Sequence, residues 1–234
     1  MLPAAKLIRK REKKVSAFTG DLFELHDARE PWIEQLSAGT VLLHGFATAD
    51  AAVILADLAR IVEAAPFRHM VIPGGRSMSV AMTNCGALGW VADTTGYRYA
   101  RCDPQSSRPW PAMPDSFSSL ARTAASEAGF ANFMPDACLI NRYAVGARMS
   151  LHQDKDERDF NAPIVSVSLG LPAVFLLGGA KRADRVQRLA LCHGDILVWG
   201  GEDRLRYHGV LPLKAGCHTL VGDARINLTF RQAG

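Results

Sequence analysis

The stretch RINLTFR, residues 225–231, decides the fold class. Its alternation of apolar and polar residues predicts a β-strand, because successive side chains of a strand point to opposite faces. The apolar face holds Ile226, Leu228 and Phe230. The polar face holds Arg225, Asn227, Thr229 and Arg231. The outer face of an edge strand would also fit this pattern. If the polar face points into a barrel, however, its two arginines require an anion, and a dicarboxylate would satisfy both.

Six further short runs of β-type composition come before this strand, separated by turn residues such as Gly200-Gly201. They span residues 138–143, 164–169, 174–177, 187–192, 195–199 and 205–210. Many short, evenly spaced strands are typical of a sandwich or a jelly roll. We therefore predict a mainly β fold with flanking helices, in which the core is either a sandwich or a jelly roll.

Two helices are predicted upstream of these strands. Apolar residues recur at helical spacing over residues 49–65, where Pro66 stops the run, and over residues 116–128. For the second helix we expect Ser116 to be the N-cap and Gly129 the stop. The helices are expected to cover one face of the sheet. The chain between them includes Pro104, Pro109, Pro111 and Pro114, which favours irregular chain and an ordered surface loop.

Composition excludes several classes of protein. The chain has 234 residues, 48% of them hydrophobic, which is enough for a large core. No apolar run approaches the roughly 18 residues of a bilayer span, and the N-terminus carries charge where a secretory signal needs an apolar core. We expect a cytoplasmic protein without membrane contact. Five cysteines without a CxxC motif favour reduced thiols over a disulfide framework or a structural zinc site.

Positive charge is concentrated at the N-terminus. Residues 1–20 hold six Lys or Arg against one Glu, in a chain whose formal net charge is +4. We predict a basic flexible tail over residues 1–20, followed by a single domain over residues 21–234. Such a tail is either simply solvated or adds salt-sensitive attraction to nucleic acid.

Two histidines and a carboxylate are candidate metal ligands. His152 and Asp154 are separated by one residue, and His208 lies in a strand-like segment downstream. Each motif has an ordinary explanation, since HxD arises often by chance and a strand histidine is commonly structural. Together they could form the facial triad that holds non-haem Fe(II) and leaves coordination positions open.

The order of these motifs, HxD, a distant His and then an arginine strand, resembles that of the Fe(II)/2-oxoglutarate dioxygenases. More closely, the chain from about residue 22 to its end resembles the AlkB family of oxidative nucleic-acid dealkylation enzymes. The strings that carry the resemblance are PGG (73–75), MSVAMTNCG (78–86), PDACLINRYA (135–144), SLHQDKDE (150–157), PIVSVSLGLPA (163–173), HGD (193–195), VWGG (198–201) and RINLTFRQAG (225–234). Ile72, Arg76 and Ser77 depart from the family pattern.

The resemblance implies a metal site and a co-substrate site. The implied Fe(II) ligands are His152, Asp154 and His208. Arg225 would pair with the distal carboxylate of 2-oxoglutarate, with Asn141 and Tyr143 as companions, and Arg231 and Asn227 would hold the chelating end. The reaction would couple 2-oxoglutarate and O2 to the release of succinate, CO2 and formaldehyde, with no side chain acting as the nucleophile.

The resemblance also implies a nucleic-acid substrate. A nucleotide-recognition lid would occupy about residues 66–105. The catalytic core, a double-stranded β-helix (jelly roll), would occupy about residues 135–234. A flipped base would stack on Trp90, with the ring of His152 on its other side. The further implied substrate contacts are Tyr97, Arg98, Tyr99, Asp156 and Arg182. Without the resemblance, residues 155–158 would be simply a solvated charge cluster.

We therefore expect a monomer that demethylates 1-methyladenine and 3-methylcytosine in single- or double-stranded DNA, with RNA as a further candidate substrate. Two alternatives remain open. One is an Fe(II)/2-oxoglutarate oxygenase that acts on a protein or a small molecule. The other is a catalytically silent jelly-roll binding protein.

Overall fold

The computed structural model describes residues 30–234, so the predicted basic tail lies outside the described residues. Eight strands form the larger sheet. In spatial order they are β1 (Trp32–Ser37), β2 (Thr40–His44), β12 (Ile196–Trp199), β9 (Ile164–Gly170), β14 (Arg225–Arg231), β7 (Ala137–Tyr143), β4 (Ser77–Gly86) and β3 (Arg68–Val71).

Four strands form a smaller sheet that packs against the larger one: β11 (Gln187–Leu191), β10 (Ala173–Leu177), β13 (His208–Val210) and β8 (Met149–His152). A separate hairpin consists of β5 (Gly89–Asp93) and β6 (Gly96–Ala100). Neighbouring strands pair antiparallel throughout. The predicted jelly roll is confirmed.

Strand β14 lies in the middle of the larger sheet, between β7 and β9, and each of its residues is buried. Its apolar side chains, Ile226, Leu228 and Phe230, join the core beneath the helices. Its polar side chains face the interior between the two sheets, where Tyr143 and other apolar residues form a second core. The predicted division of this strand into two faces is therefore confirmed, and its polar face is buried.

Two helices, α1 (Ala51–Ala64) and α2 (Asp115–Glu127), cover the outer face of the larger sheet, as expected. Phe117 of α2 meets Phe230 of β14 edge to face, with ring centroids 5.9 Å apart. This packing fixes the strand whose opposite face carries the two arginines.

The prediction that Ser116 caps α2 is wrong. The helix begins one residue earlier, Pro114 takes the N-cap position, and the Ser116 hydroxyl donates instead to Asp57 of α1 over 2.5 Å. Gly129 does stop the helix. It adopts φ +90°, and the amides of Gly129 and Phe130 bond back to the last turn, which is a left-handed termination that favours glycine.

The prediction of irregular chain between the helices is wrong for residues 68–100, which form β3, β4, β5 and β6. Strand β4 is mostly buried because β3 and β7 flank it, so its Ser, Met and Thr residues show no clean alternation. The proline-containing stretch between β6 and α2 is a loop, as predicted.

The predicted strand over residues 205–210 is too long, since only His208–Val210 is a strand. A 3₁₀ turn, Gly201–Asp203, precedes it, and the Arg206 amide bonds to the Asp203 carbonyl. No helix within residues 30–234 is both long and apolar enough to cross a bilayer. No disulfide bond joins any of the five cysteines, all of which lie within residues 30–234.

Candidate metal and co-substrate site

The structure brings the three predicted metal ligands together. His152 ends β8 and is the register partner of His208 on β13, while Asp154 lies two residues beyond β8. Nε2 of His152 is 3.6 Å from one carboxylate oxygen of Asp154, and Nε2 of His208 is 3.7 Å from the other. The candidate ligand atoms all lie within 4.8 Å of one another, which suits a single bound ion.

Hydrogen bonds set the tautomer of both histidines. Nδ1 of His152 lies 2.8 Å from the carbonyl of Ser150, and Nδ1 of His208 lies 3.0 Å from the carbonyl of Arg206. A carbonyl only accepts, so each Nδ1 donates and each Nε2 presents its lone pair to the site. Burial, together with the neighbouring imidazole of His208, lowers the pKa of His152 to about 4. The ring is therefore neutral at physiological pH, as a metal ligand must be.

Asp154 supplies the negative charge. Burial opposes its ionisation, but Arg231 and His208 outweigh that effect and hold the pKa of Asp154 well below its usual range. Nη2 and Nε of Arg231 donate to the same carboxylate oxygen over 2.5 Å and 3.1 Å. Two neutral imidazoles and one carboxylate fit a divalent ion such as Fe(II).

Arg225 is the clearest candidate for binding a co-substrate anion. It is 1% exposed, its Nη2 donates to Ser168 Oγ over 2.9 Å, and its guanidinium carbon lies 5.1 Å from the centre of the Tyr143 ring. Among residues 30–234, its Nε and Nη1 have no hydrogen-bond partner. Burial lowers the pKa of Arg225, so an anion that reached these N–H groups would relieve a desolvated charge.

Asn141 and Asn227 are hydrogen-bonded to each other, and Asn227 lies between Arg225 and Arg231 on the polar face of β14. Nδ2 of Asn141 donates to Oδ1 of Asn227 over 3.3 Å, and Nδ2 of Asn227 donates to Ser166 Oγ over 2.8 Å. The Asn141 Oδ1 has no partner within the described chain. Every predicted 2-oxoglutarate residue therefore lies in the interior between the sheets, on β14 or its neighbour β7.

Trp90 lies on the hairpin strand β5 and is held at several points. The Asn84 side chain bonds to both the amide and the carbonyl of Trp90 over 3.0 Å. The Trp90 indole Nε1 donates to Asp156 over 2.8 Å, and its ring stacks on Tyr97 at 5.6 Å between centroids. Tyr97 is 48% exposed, so this aromatic pair borders solvent.

Two predicted substrate contacts have other partners. Arg98 is exposed and pairs with Asp93 over 2.7 Å, a contact that lowers the pKa of that carboxyl. Arg182 lies on the exposed loop between β10 and β11, with its guanidinium carbon 5.3 Å from the centre of the Tyr207 ring. Tyr207 directly precedes the candidate metal ligand His208 in the chain.

Sequence reasoning missed Glu157 and Arg204. In a run of charges Glu157 has the composition of a solvated residue, yet it is 6% exposed, and Arg204 is 3% exposed. Their carboxylate and guanidinium pair over 3.0 Å. Ser166 and Ser168, which bond to Asn227 and Arg225, were missed as well, because nothing in a buried strand run distinguishes a serine that binds its neighbour's side chain.

Comparisons with known proteins agree with this geometry. Residues 39–231 match the model of the 2OG-Fe(II) oxygenase superfamily. The chain is 59% identical to the alpha-ketoglutarate-dependent dioxygenase AlkB of Escherichia coli, over 91% of this chain and 99% of that protein. It is 34% identical to the nucleic acid dioxygenase ALKBH1 of Mus musculus, over 53% of this chain and 31% of that protein. The solved structure of OsALKBH1 superposes with a TM-score of 0.75 at 28% identity, covering 86% of this chain and 99% of that one.

Proposed function

The chain belongs to the AlkB family within the 2OG-Fe(II) oxygenase superfamily, and from this we propose that it demethylates 1-methyladenine and 3-methylcytosine in DNA. It is an Fe(II)- and 2-oxoglutarate-dependent dioxygenase that acts by oxidative dealkylation of nucleic acid. The substrate bases and the role of each side chain are the proposed part.

The observation that carries the proposal is the buried polar face of β14. Arg225, with two N–H groups open to an anion, lies on the same strand face as Arg231, which contacts the candidate ligand Asp154. A silent binding module would have no use for a desolvated arginine beside a triad of neutral imidazoles and a carboxylate. A dicarboxylic co-substrate next to a metal ion would use both.

The proposed roles follow from position and charge. The triad would hold Fe(II), which supplies O2 activation and oxidation of the N-alkyl carbon when it is bound. Arg225 would bind the distal carboxylate of 2-oxoglutarate, with Asn141 and Tyr143 beside it. Arg231 and Asn227 would orient the end of the molecule that meets the metal. The Nδ1 hydrogen bonds keep both imidazoles aimed at the metal position.

On the base side, Trp90 would provide the stacking surface for a flipped base and Asp156 would meet its polar edge. The bases 1-methyladenine and 3-methylcytosine each carry a positive charge, which complements the Asp156 carboxylate. Tyr97 is in place to extend the aromatic surface, since it already stacks on Trp90. Arg182 and Arg98, both exposed, would contact the phosphate backbone.

We further propose that the enzyme accepts both single- and double-stranded DNA as well as RNA, and that it acts as a monomer in the cytoplasm. Five cysteines that form no disulfide bond among the described residues support a reducing compartment. If recognition depends on the flipped base, the 2′-hydroxyl that distinguishes RNA from DNA would have little effect on binding.

The test is to load the protein with Fe(II) and 2-oxoglutarate without oxygen and then to admit air. Single-stranded oligonucleotides carrying one 1-methyladenine or one 3-methylcytosine are compared with an N-methylated peptide. We expect formaldehyde and the unmodified base from the oligonucleotides only. Succinate formation with demethylated peptide would favour the protein-directed alternative, and failure to bind Fe(II) would favour the silent binding protein.

Replacing Trp90 with alanine is expected to raise KM for a methylated oligonucleotide by roughly 5- to 150-fold, because base stacking on an aromatic side chain contributes about 1–3 kcal/mol. Trp90→Phe removes the Nε1 bond to Asp156 but keeps a stacking ring, so it should raise KM much less. KM is measured by formaldehyde release. Equal KM values for the alanine variant and the unchanged enzyme would rule out stacking on Trp90.

A further inference from the structure

Glu157 is buried at the centre of a four-residue polar network next to the metal ligands. Oε1 of Glu157 accepts the Tyr99 hydroxyl over 2.7 Å and lies 3.2 Å from Nε of Arg231. Oε2 lies 3.0 Å from Nη2 of Arg204. The same Arg204 donates through Nη1 to the backbone carbonyl of Asp154 over 2.8 Å. The network therefore reaches both Asp154 and Arg231.

Together with Asp154, the network holds two arginines and two carboxylates, so its charges balance, but the two carboxylates are not equivalent. Arg231 contacts two carboxylates, Asp154 and Glu157. Asp154 is the expected metal ligand, so its charge is shared with the cation once the ion is bound. Glu157 is then the carboxylate that remains to hold the Arg231 guanidinium, and Arg204 holds Glu157 in place. Removing a partner from such a buried group is costly, which makes its geometry well defined.

Tyr99 links this network to the hairpin that carries Trp90. Trp90 and Tyr99 are register partners across β5 and β6. Trp90 donates to Asp156 and Tyr99 donates to Glu157, so two adjacent strands are tied to two successive acids just beyond the metal ligand Asp154. Burial and the nearby negative charges raise the pKa of Tyr99, so its hydroxyl stays protonated and acts as the donor.

We propose that Glu157 is a positioning residue that aims Arg231 at 2-oxoglutarate, and that the Tyr99 hydroxyl couples the position of the β5–β6 hairpin to the affinity of this co-substrate. The inference rests on the proposed placement of 2-oxoglutarate against Arg231. A nucleic acid that orders the hairpin through Trp90 thereby tightens 2-oxoglutarate binding. Because coupling is reciprocal, 2-oxoglutarate tightens nucleic-acid binding by the same factor.

The test uses calorimetric titration of 2-oxoglutarate into the full chain loaded with Mn(II), which needs no turnover. The titration is repeated with and without a saturating single-stranded oligonucleotide that carries 1-methyladenine. The variants are Tyr99→Phe, which removes only the hydroxyl, and Glu157→Gln, which keeps the shape of the side chain. Tyr207→Phe and Glu202→Gln are the matched controls, since Glu202 is exposed and Tyr207 is outside the network. Arg231→Lys tests the placement itself.

In the unchanged protein, the oligonucleotide should lower the Kd for 2-oxoglutarate by about fivefold or more, within the usual range of coupling between sites. Tyr99→Phe should abolish that effect, and Glu157→Gln should also raise the Kd without oligonucleotide by about tenfold. During turnover, Tyr99→Phe should raise KM for 2-oxoglutarate more than it lowers kcat. Both controls should behave like the unchanged protein.

Two results would overturn the proposal, and they are distinguishable. If Arg231→Lys weakens 2-oxoglutarate binding while Tyr99→Phe retains the full oligonucleotide effect, the placement stands and the coupling is wrong. If Arg231→Lys leaves the Kd unchanged, the placement is wrong and the coupling falls with it. Should Glu157→Gln fail to fold, Tyr99→Phe alone decides, because it leaves every charge of the network in place.

Discussion

Asp154→Ala is expected to lose Fe(II) binding and demethylation together. The substitution removes the only anionic member of the triad and leaves two neutral imidazoles, which hold a divalent ion weakly. The loss should exceed the roughly 10- to 100-fold that follows from changing a residue behind a metal ligand. Metal affinity is measured by anaerobic titration with Fe(II) or Mn(II), and activity by formaldehyde release from a 1-methyladenine oligonucleotide.

Two comparisons separate this effect from simple unfolding. Asp50→Ala removes an exposed carboxylate whose side chain makes no capping hydrogen bond at α1, so it should leave both readouts unchanged. In Asp154→Ala itself, Arg231 retains Glu157 as an ionic partner, so the metal-free variant should still melt cooperatively. A folded Asp154→Ala protein with undiminished metal affinity would show that the metal lies elsewhere.

The features that could be predicted from the sequence are those fixed by local alternation or by short motifs. The two faces of 225–231 follow directly from strand geometry, and His152, Asp154 and His208 have a residue chemistry that few other functions combine. The order of these motifs then indicated the resemblance to a family, and the resemblance implied the roles of the individual residues. The packing of α2 on the larger sheet, where Phe117 meets Phe230, agrees with the prediction that the helices cover one face.

The features that could not be predicted depend on tertiary contacts. Residues 77–86 form strand β4 because β7 and β3 pair with them. The hydrogen bond from Ser116 to Asp57 depends on how α1 and α2 pack. The burial of Glu157 needs Arg204, which lies far along the chain. A charged residue in a charged run shows no sign in the sequence that it is buried.

Arg225 is expected to lower the stability of the fold while it contributes to the binding of 2-oxoglutarate. Its guanidinium is almost fully buried, and two of its N–H groups have no partner among the described residues. In the absence of 2-oxoglutarate this is an uncompensated buried charge, which destabilises the fold. The same open N–H groups would each form a charge-assisted bond to a carboxylate, worth about 1.5–3 kcal/mol.

Arg225→Met should therefore leave the metal-free protein at least as stable as the unchanged one. It should also raise the Kd for 2-oxoglutarate by more than about 100-fold, because two such bonds are lost. Thermal unfolding without metal measures the first effect, and thermal unfolding with Mn(II) measures the second. Added 2-oxoglutarate should raise the Tm of the unchanged protein, since a ligand that binds only the folded state stabilises it, and should leave the Tm of the variant unchanged. Arg142→Met, an exposed change on the neighbouring strand β7, is the control and should keep the 2-oxoglutarate shift. If Arg225→Met lowered stability and retained the shift, Arg225 would be a structural residue, and the anion would have to bind elsewhere on the β14 face.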